Sequence, residues 1–301
     1  MRIFIAGGSG FVGRALSARL AAEGHQIQVL TRSPRKAETL PEGVTMVAGD
    51  PTRPGPWQEQ AAGAEVVINL AGASIFSRWT PEVKQRIRDS RILTTRNLVA
   101  AMQPDRPGGQ TLINAGAAGY FGFASQEPCP ETSPAGDDFL ARVCVDWERE
   151  AQQAASKGCR VVITRFAVIL GTEGGALSKM LPAFRLGFGG RLGHGRQWFP
   201  WIHLDDLREI FLFLLKHPEI SGPINCAAPA PVRNGEFTRE LGRALHRPVL
   251  MPVPGWLLRL LLGEMSTVLL EGNRMIPKVL TDNGFLFRFP TIRQALVDLV
   301  G

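Results

Sequence analysis

The sequence predicts an α/β fold, a doubly wound parallel sheet followed by a smaller C-terminal α+β domain. Apolar runs alternate with helical stretches along the first 170 residues. The runs are residues 2–6, 27–31, 44–48, 65–72, 111–116 and 160–166. Strands buried on both faces read as continuous apolar runs, and their alternation with helices is typical of a parallel sheet covered on both sides. After about residue 170 the chain becomes rich in glycine and aromatic residues, which indicates loops and short strands over a pocket.

The helices between these runs have recognisable ends. The first strand leads through a glycine-rich turn into a helix that Gly24 closes. A later helix begins at Thr80, a capping residue, and the proline and glutamate that follow suit the positive end of a helix. Residues 138–157 predict another helix, and residues 254–301 carry a mostly helical pattern.

The domain organisation follows from these elements. We expect residues 1–170 to form the first domain, completed by about residues 203–228, and residues 171–301 to form the smaller one. No long linker, repeat or low-complexity tract separates the two, so they should pack directly on each other.

Composition narrows the class of protein. The chain has 301 residues, 45% of them hydrophobic, and no apolar run approaches the ~18 residues of a membrane-spanning helix. The N-terminus enters a strand after one arginine, so we expect no secretory signal. The four cysteines show no CxxC spacing, which predicts neither a zinc site nor a disulfide framework. We therefore expect a cytoplasmic protein with no bound metal and no membrane partner.

The net charge of +7 raises the question of a polyanionic partner. The basic residues are scattered, with acidic residues between them and no run of five. We expect no nucleic-acid partner, and a basic surface around a phosphate-bearing cofactor accounts for the charge.

The turn after the first strand carries the strongest motif, GGSGFVG at residues 7–13. Gly7 allows a tight turn, Gly10 lets the backbone approach a pyrophosphate, and Gly13 lets helix pack on strand. The helix that follows offers free N–H groups and a partial positive charge to phosphates. This is the pattern of a dinucleotide-binding Rossmann fold, and Ser9, Phe11 and Val12 belong to the same predicted site.

The end of the second strand predicts which dinucleotide binds. An NAD site usually has an acidic residue here to hold the ribose 2′-hydroxyl, whereas an arginine favours a 2′-phosphate. After Leu30 no acid occurs until Glu38, while Arg32 and Arg35 stand between. We therefore predict NADP(H) as the cofactor. Asp50, after the third strand, is placed to accept from the adenine amino group, or is an exposed turn aspartate.

Longer motifs resemble a known superfamily. GGSGFVG, NLAG at residues 69–72 and WIHLDDL at 201–207 are similar to the extended short-chain dehydrogenase/reductases. RWTPEVKQRIRDSR, AAGYFG, DDFLARVCVDWE and GGRLGHGRQWFPWIHLDDL resemble its atypical "epimerase family protein" branch, as does the C-terminal segment with a domain of unassigned role. The resemblance runs end to end. It implies the fold, NADP(H) binding with Leu70, Ala71 and Gly72 at the cofactor, and a pocket between the domains.

The catalytic triad of that superfamily is missing. The resemblance implies a serine at the end of the fifth strand and a YxxxK helix, whose tyrosine transfers the proton and whose lysine lowers the tyrosine pKa and holds the ribose. Asn114 and Gly116 stand in the serine region. The YxxxK helix corresponds to DDFLARVCVDWE, which has neither tyrosine nor lysine. Tyr120, the only tyrosine of the chain, lies about twenty residues upstream.

Other residues are candidates for the proton and the substrate. His203 precedes two aspartates, and an imidazole beside a carboxylate can titrate near neutrality, although this segment is largely structural in the superfamily. Cys144 is either a thiol acid or a small core residue, and Tyr120 is a third catalytic candidate or a packing residue. On the substrate side the candidates are Trp79, Lys84 and Tyr120. Arg191 and Gln197 either grip an anionic or sugar-like ligand or are surface residues of a glycine-rich loop.

Two functions from different classes fit the sequence. The first is an NADP(H)-dependent reductase or epimerase of a small polar carbonyl or hydroxyl compound, such as a nucleotide sugar, with the C-terminal domain on the substrate side. The second is a catalytically silent NADPH-binding sensor, which the joint loss of serine, tyrosine and lysine favours. The superfamily commonly forms dimers through two helices, so a homodimer is an expectation on either interpretation.

Overall fold

The computed structural model describes residues 1–32, 40–103, 108–123 and 126–301. In this part of the chain seven parallel strands form one sheet and six short strands pair in twos beside it. The sheet strands are β1 (Arg2–Ala6), β2 (Gln26–Thr31), β3 (Val44–Ala48), β4 (Val66–Asn69), β5 (Thr111–Ala117), β7 (Arg160–Phe166) and β11 (Gly222–Cys226). The short strands are β6 (Pro128–Cys129), β8 (Val168–Leu170), β9 (Trp198–Phe199), β10 (Trp201–His203), β12 (Val232–Arg233) and β13 (Arg274–Met275).

The helices of the described residues alternate with these strands. They are α1 (Phe11–Ala22), α2 (Trp57–Gly63), α3 (Pro81–Ala101), α4 (Phe139–Gln152), α5 (Gly175–Arg185), α6 (Leu204–Lys216), α7 (Asn234–Ala244), α8 (Gly255–Leu262), α9 (Thr267–Leu270), α10 (Lys278–Asp282) and α11 (Ile292–Val300). No helix in the described ranges has both the length and the hydropathy needed to cross a membrane.

The order of the sheet places a crevice at its centre. The strands run β11-β7-β5-β4-β1-β2-β3, so the chain moves outward in one direction after β1 and in the other after β4. In sheets of this type ligands bind outside the carboxyl ends of the strands at that switch point. The loops after β1 and β4 therefore flank the expected site.

Both faces of the sheet are buried, which explains the continuous apolar runs. In β1, Ile3 and Ile5 join the core that α1 and α6 cover. Phe4 and Ala6 point the other way, into the core under α2, α3 and α4. Alternate side chains of a strand point to opposite faces, so a strand covered on both sides carries no polar alternation. The predicted fold class is confirmed.

The structure sharpens two element boundaries. The predicted strand 65–72 stops at Asn69, because its side-chain oxygen accepts from the backbone N–H of Ala71 at 3.1 Å and turns the chain. The predicted helix 138–157 is α4 followed by a 3₁₀ turn over Gln153–Lys157. Thr80 caps α3 as expected, and its side chain accepts from Val83.

The C-terminal part packs around its own core and against the first domain. Helices α5, α7 and α11 surround the buried Trp201 and Phe237. Asn273, just before β13, donates to the carbonyl oxygens of Ala118 and Gly122 at 2.8 and 2.9 Å. These two bonds fix the segment after α9 against the loop that follows β5.

Candidate functional site

The glycine turn after β1 is held against the loop after β4. Gly7 has a φ of +82°, and a Cβ there would lie 2.7 Å from the backbone of Leu70 and Ala71. A Cβ on Gly13 would lie 2.4 Å from the carbonyl oxygen of Gly7, so Gly13 serves the close packing of α1 on the turn. No described side chain caps α1 at Gly10, which leaves its N–H groups available to an anion.

A first cavity of about 830 Å³ opens beside this turn. It brings together most of the predicted cofactor residues, namely Gly7, Ser9, Gly10, Arg32, Asp50, Leu70, Ala71 and Gly72. Arg35 lies outside the described residues. Five residues of α3 that the sequence motifs did not predict also line the cavity: Arg86, Asp89, Ser90, Leu93 and Thr94.

Asp50 is fixed at the rim of this cavity. Its Oδ1 accepts from the backbone N–H and the hydroxyl of Thr52 at 3.0 and 2.8 Å. Burial alone raises the pKa of Asp50, but the Thr52 hydrogen bonds and the charge of Arg32 outweigh it and lower the pKa below its ordinary value. The carboxylate is therefore ionised at neutral pH and can accept from a ligand.

A second cavity of about 470 Å³ shares Leu70, Ala71 and Gly72 with the first. Phe11 and Val12 line this cavity and not the first one. Its remaining walls are largely apolar and come from both domains, among them Ile75, Phe76, Leu140, Val143, Met180, Phe199, Val268 and Leu269. Because the two cavities meet at one loop, an elongated ligand can pass from one to the other.

The residues at the triad positions line the second cavity but carry no matching chemistry. Gly116 and its neighbours offer no hydroxyl, and Leu140 stands on the helix where the resemblance implies a tyrosine. Cys144, one turn later, is buried, and burial together with the charge of Glu148 raises the pKa of its thiol to about 12. A thiol with this pKa is protonated at neutral pH and is a weak acid.

Tyr120 does not line either cavity. Its ring lies 3.4 Å from the guanidinium carbon of Arg165, in a cation–π contact. Arg165 in turn pairs with Glu148 at 2.8 Å and donates to the carbonyl oxygen of Glu131. This arrangement gives Tyr120 a packing role beneath the loop, and we do not assign it the proton or the substrate.

His203 also lies away from both cavities. It caps α6, with Nδ1 accepting from the backbone N–H of Asp205 at 3.0 Å. Its ring stacks on Phe289 at 3.9 Å, and Nε2 lies 3.4 Å from Asp298. Burial lowers the pKa of His203 below its ordinary value, so the imidazole is neutral at pH 7. The histidine is a structural residue of the C-terminal core, and we set aside the catalytic interpretation.

The substrate-side candidates divide in the same way. Gln197 lines the second cavity, with its amide donating to the carbonyl oxygens of Leu192 and Leu269. Trp79 and Lys84 instead pack on Phe139 outside the lining, and Lys84 forms an ion pair with Glu264 at 2.6 Å. Arg191 is exposed and lines neither cavity.

Four polar residues of the second cavity were not predicted: Arg91, Asn234, Glu271 and Asn273. The helical spacing of the sequence could have identified Arg91, because it lies on the same face of α3 as the buried Ile87 and Leu98. A charged residue in a buried helical stripe indicates a special role. The C-terminal residues had no such signal, because only the tertiary fold brings them to the cavity.

Comparison with known proteins identifies the family. Residues 3–227 match the NAD dependent epimerase/dehydratase family. The chain belongs to this family. Residues 253–299 match the domain of unknown function DUF1731, which coincides with α8 to α11. The family resemblance read from the motifs is therefore confirmed, with its characteristic C-terminal domain.

Relatives of this family align over nearly the whole chain. The chloroplastic epimerase family protein SDR39U1 homolog of Arabidopsis thaliana is 41% identical over 298 residues, which cover 98% of this chain and 86% of the relative. Epimerase family protein YfhF of Bacillus subtilis is 38% identical, with 100% and 98% covered. The crystal structure of human epimerase family protein SDR39U1 (isoform 2) with NADPH superposes with a TM-score of 0.87 at 32% identity, covering 100% and 99% of the two chains.

Proposed function

We propose that the protein is an NADP(H)-dependent oxidoreductase or epimerase that acts on a small carbonyl or hydroxyl compound. The observation that carries the proposal is the pair of cavities joined at Leu70, Ala71 and Gly72. The first cavity, with the glycine turn and Arg32, suits the adenosine and pyrophosphate half of the dinucleotide. The second leaves room for the nicotinamide and a substrate against it.

The choice of NADP(H) over NAD(H) rests on the residue that follows β2. Arg32 comes directly after Thr31, the last residue of that strand, and lines the first cavity. An arginine at this point favours a 2′-phosphate over a free 2′-hydroxyl. The NADPH-bound structure of the human relative supports the same choice.

The walls of the second cavity favour a substrate with an apolar body. Aromatic and aliphatic side chains dominate the lining, and its charged groups are Arg91 and Glu271. We therefore propose an aldehyde, ketone or alcohol that is less polar than the nucleotide sugars considered from the sequence. The family's cofactor supplies hydride transfer when it is bound, and the chain orients the reacting carbon and excludes water.

Glu271 is our candidate for moving the proton. It is half-buried, belongs to the lining, and forms no ion pair with any described residue. Cys144 is the alternative acid in the lining, but its pKa of about 12 makes it a poor donor near neutrality. Glu271 is placed in the same lining and can act on the substrate directly or through a water.

The first experiment measures binding and turnover in the same samples. Trp147 and Trp198 line the second cavity, so a nicotinamide bound there should quench tryptophan fluorescence. NADPH and NADH are titrated, and nicotinamide absorbance is then followed with a panel of apolar and polar aldehydes, ketones and nucleotide sugars. We expect NADPH-selective binding and oxidation of NADPH by an apolar carbonyl compound. The absence of binding by either nucleotide contradicts the proposal.

A matched pair of variants tests the proton carrier. Glu271→Gln should lower turnover at least a hundredfold while NADPH affinity stays within twofold of the wild type. Glu264→Gln is the control, because this nearby carboxylate is exposed and paired with Lys84 outside the lining. Equal turnover in both variants refutes the role of Glu271.

The second candidate function is a silent NADPH sensor. The specific observation in its favour is that the described lining of the second cavity contains no serine, tyrosine or lysine. Tight NADPH binding with no oxidation by any compound of the panel is the result that favours the sensor.

A further inference from the structure

Arg91 is a positively charged side chain in the wall of the second cavity. It lies in the middle of α3, is half-buried, and belongs to the lining of the second cavity together with Gly72. A Cβ on Gly72 would lie 3.2 Å from the guanidinium carbon, so this loop glycine and the arginine are in close contact. The guanidinium therefore sits beside the loop that joins the two cavities.

The side chain is fixed before any ligand arrives. Nη1 donates to the carbonyl oxygens of Ala73 and Ile87 at 3.2 and 2.9 Å. The guanidinium carbon lies 5.2 Å from the ring of Trp147. That ring is itself held, because its N–H donates to the hydroxyl of Thr95 at 2.9 Å. Arg91 is thus held by two bonds of its own and by a hydrogen-bonded aromatic platform.

Arg91 nevertheless has no anionic partner. Two other arginines of α3 have one, since Arg88 pairs with Asp146 at 3.1 Å and Arg96 with Glu150 at 2.9 Å. No carboxylate of the described residues lies within ion-pair distance of Arg91, and none bonds to its Nη2. A desolvated cation without a partner is costly, and such a group is kept where a ligand supplies the missing charge or oxygen atoms.

The opposite helix supplies no cation to this part of the cavity. Where α4 faces the cavity it presents Leu140, Val143 and Cys144, all uncharged. Arg91 is the one basic side chain in the described lining of the second cavity. Oxygen atoms of a cofactor's nicotinamide half, placed beside Gly72, would find their cationic donor in α3.

We propose that Arg91 binds the nicotinamide half of the cofactor, donating from its unpartnered Nη2 to the ribose hydroxyls or the adjoining phosphate. The inference rests on the proposed function, since it takes NADP(H) as the ligand of the joined cavities. It assigns the two halves of the cofactor to two arginines, Arg32 at the adenosine end and Arg91 at the nicotinamide end.

The test compares the whole cofactor with its adenosine half. NADPH and 2′,5′-ADP are titrated against the full-length wild type, Arg91→Gln and Arg88→Gln. We expect Arg91→Gln to weaken NADPH about tenfold or more, as loss of one charge-assisted hydrogen bond implies. Its affinity for 2′,5′-ADP should stay within twofold of the wild type. Arg88→Gln, on the same helix but paired outside the cavity, should leave both affinities unchanged.

A second variant separates ligand binding from folding. Arg91→Met removes the charge but keeps an apolar stem, so it should fold even if Arg91→Gln does not. We expect its cofactor-free Tm to equal or exceed that of the wild type, with the same selective loss of NADPH affinity. A structural role would instead lower the Tm.

The outcomes are distinguishable. Unchanged NADPH affinity in a folded Arg91 variant, or an equal loss for NADPH and 2′,5′-ADP, overturns the role of Arg91 and leaves the proposed function standing. A wild-type protein that binds neither ligand overturns both.

Discussion

Replacing Arg32 by alanine is the most direct test of cofactor choice. Arg32 follows β2, is exposed, and lines the first cavity beside Asp50. Only NADP(H) carries a 2′-phosphate on the adenosine ribose, so the substitution should weaken NADPH and leave NADH nearly unchanged. The measured quantity is therefore the ratio of the two dissociation constants.

The size of the effect can be worked out from the surroundings of the side chain. A hydrogen bond to a charged group contributes about 1.5–3 kcal/mol, and an exposed arginine belongs at the lower end of that range. About 1.5 kcal/mol corresponds to roughly tenfold in affinity. The ionised Asp50 works in the same direction, because loss of Arg32 removes one of the two positive charges that act on it and strengthens its repulsion of a 2′-phosphate. We expect the NADPH preference to fall by about ten- to thirtyfold.

The assay is fluorescence titration of wild type, Arg32→Ala and Arg53→Ala with both nucleotides. Arg53 is a matched control, since it also acts on the charge of Asp50 and is exposed but does not line the cavity. An unchanged NADPH/NADH ratio in Arg32→Ala refutes the reasoning, as does an equal fall in Arg53→Ala.

Further predictions concern the turn, a histidine and a thiol. Gly13→Ala places a Cβ 2.4 Å from the carbonyl oxygen of Gly7, so it should lower the free energy of unfolding in urea by about 2 kcal/mol and weaken the binding of both nucleotides. Gly63→Ala is the control, because a Cβ there meets open space and should change neither quantity. Because burial lowers the folded-state pKa of His203, the unfolded chain takes up its proton first, and stability is complete above about pH 6.5 and falls as the pH falls further. His203→Asn keeps a capping acceptor but no longer titrates, so it should reduce the slope of the unfolding free energy against pH by up to about 1.4 kcal/mol per pH unit, measured by urea unfolding. A slope as steep as that of the wild type contradicts the assignment of this decline to His203. With a pKa of about 12, Cys144 should resist iodoacetamide at pH 8 in the native protein and react after unfolding, which mass spectrometry of the labelled peptide will show.

The fold was predictable because its signals are local. The strands of the first 170 residues are visible in the sequence as apolar runs. Thr80 marks the start of α3 because its own side chain caps the helix. The glycine turn was equally readable, since the close approach of Gly7 and Gly13 is a property of seven consecutive residues. Such features depend on neighbours in sequence, and those neighbours are visible without the structure.

The side chains of the second cavity were less predictable because distant partners decide where they point. The ring of Tyr120 contacts Arg165 of β7, and the ring of His203 stacks on Phe289 near α11. Neither pairing leaves a trace in the spacing of the sequence. Trp79 and Lys84 were placed on the substrate side by their motif, but Phe139 and Glu264 hold them outside the lining.

The wall formed by the C-terminal domain favours an enzyme over a silent sensor. Residues 268–269 and 271–273 close one side of the second cavity. Gly272 approaches so closely that a Cβ would lie 2.1 Å from the carbonyl oxygen of Trp198, and Asn273 holds the segment to the loop after β5. A protein that only reported bound NADPH would need the first cavity and room for the nicotinamide in the second. It would not need a second domain fixed over further apolar space in that cavity, with the carboxylate of Glu271 in its wall. The second cavity is present although the triad is missing, so the chemistry to test is one in which Glu271 and Arg91 replace the serine, tyrosine and lysine.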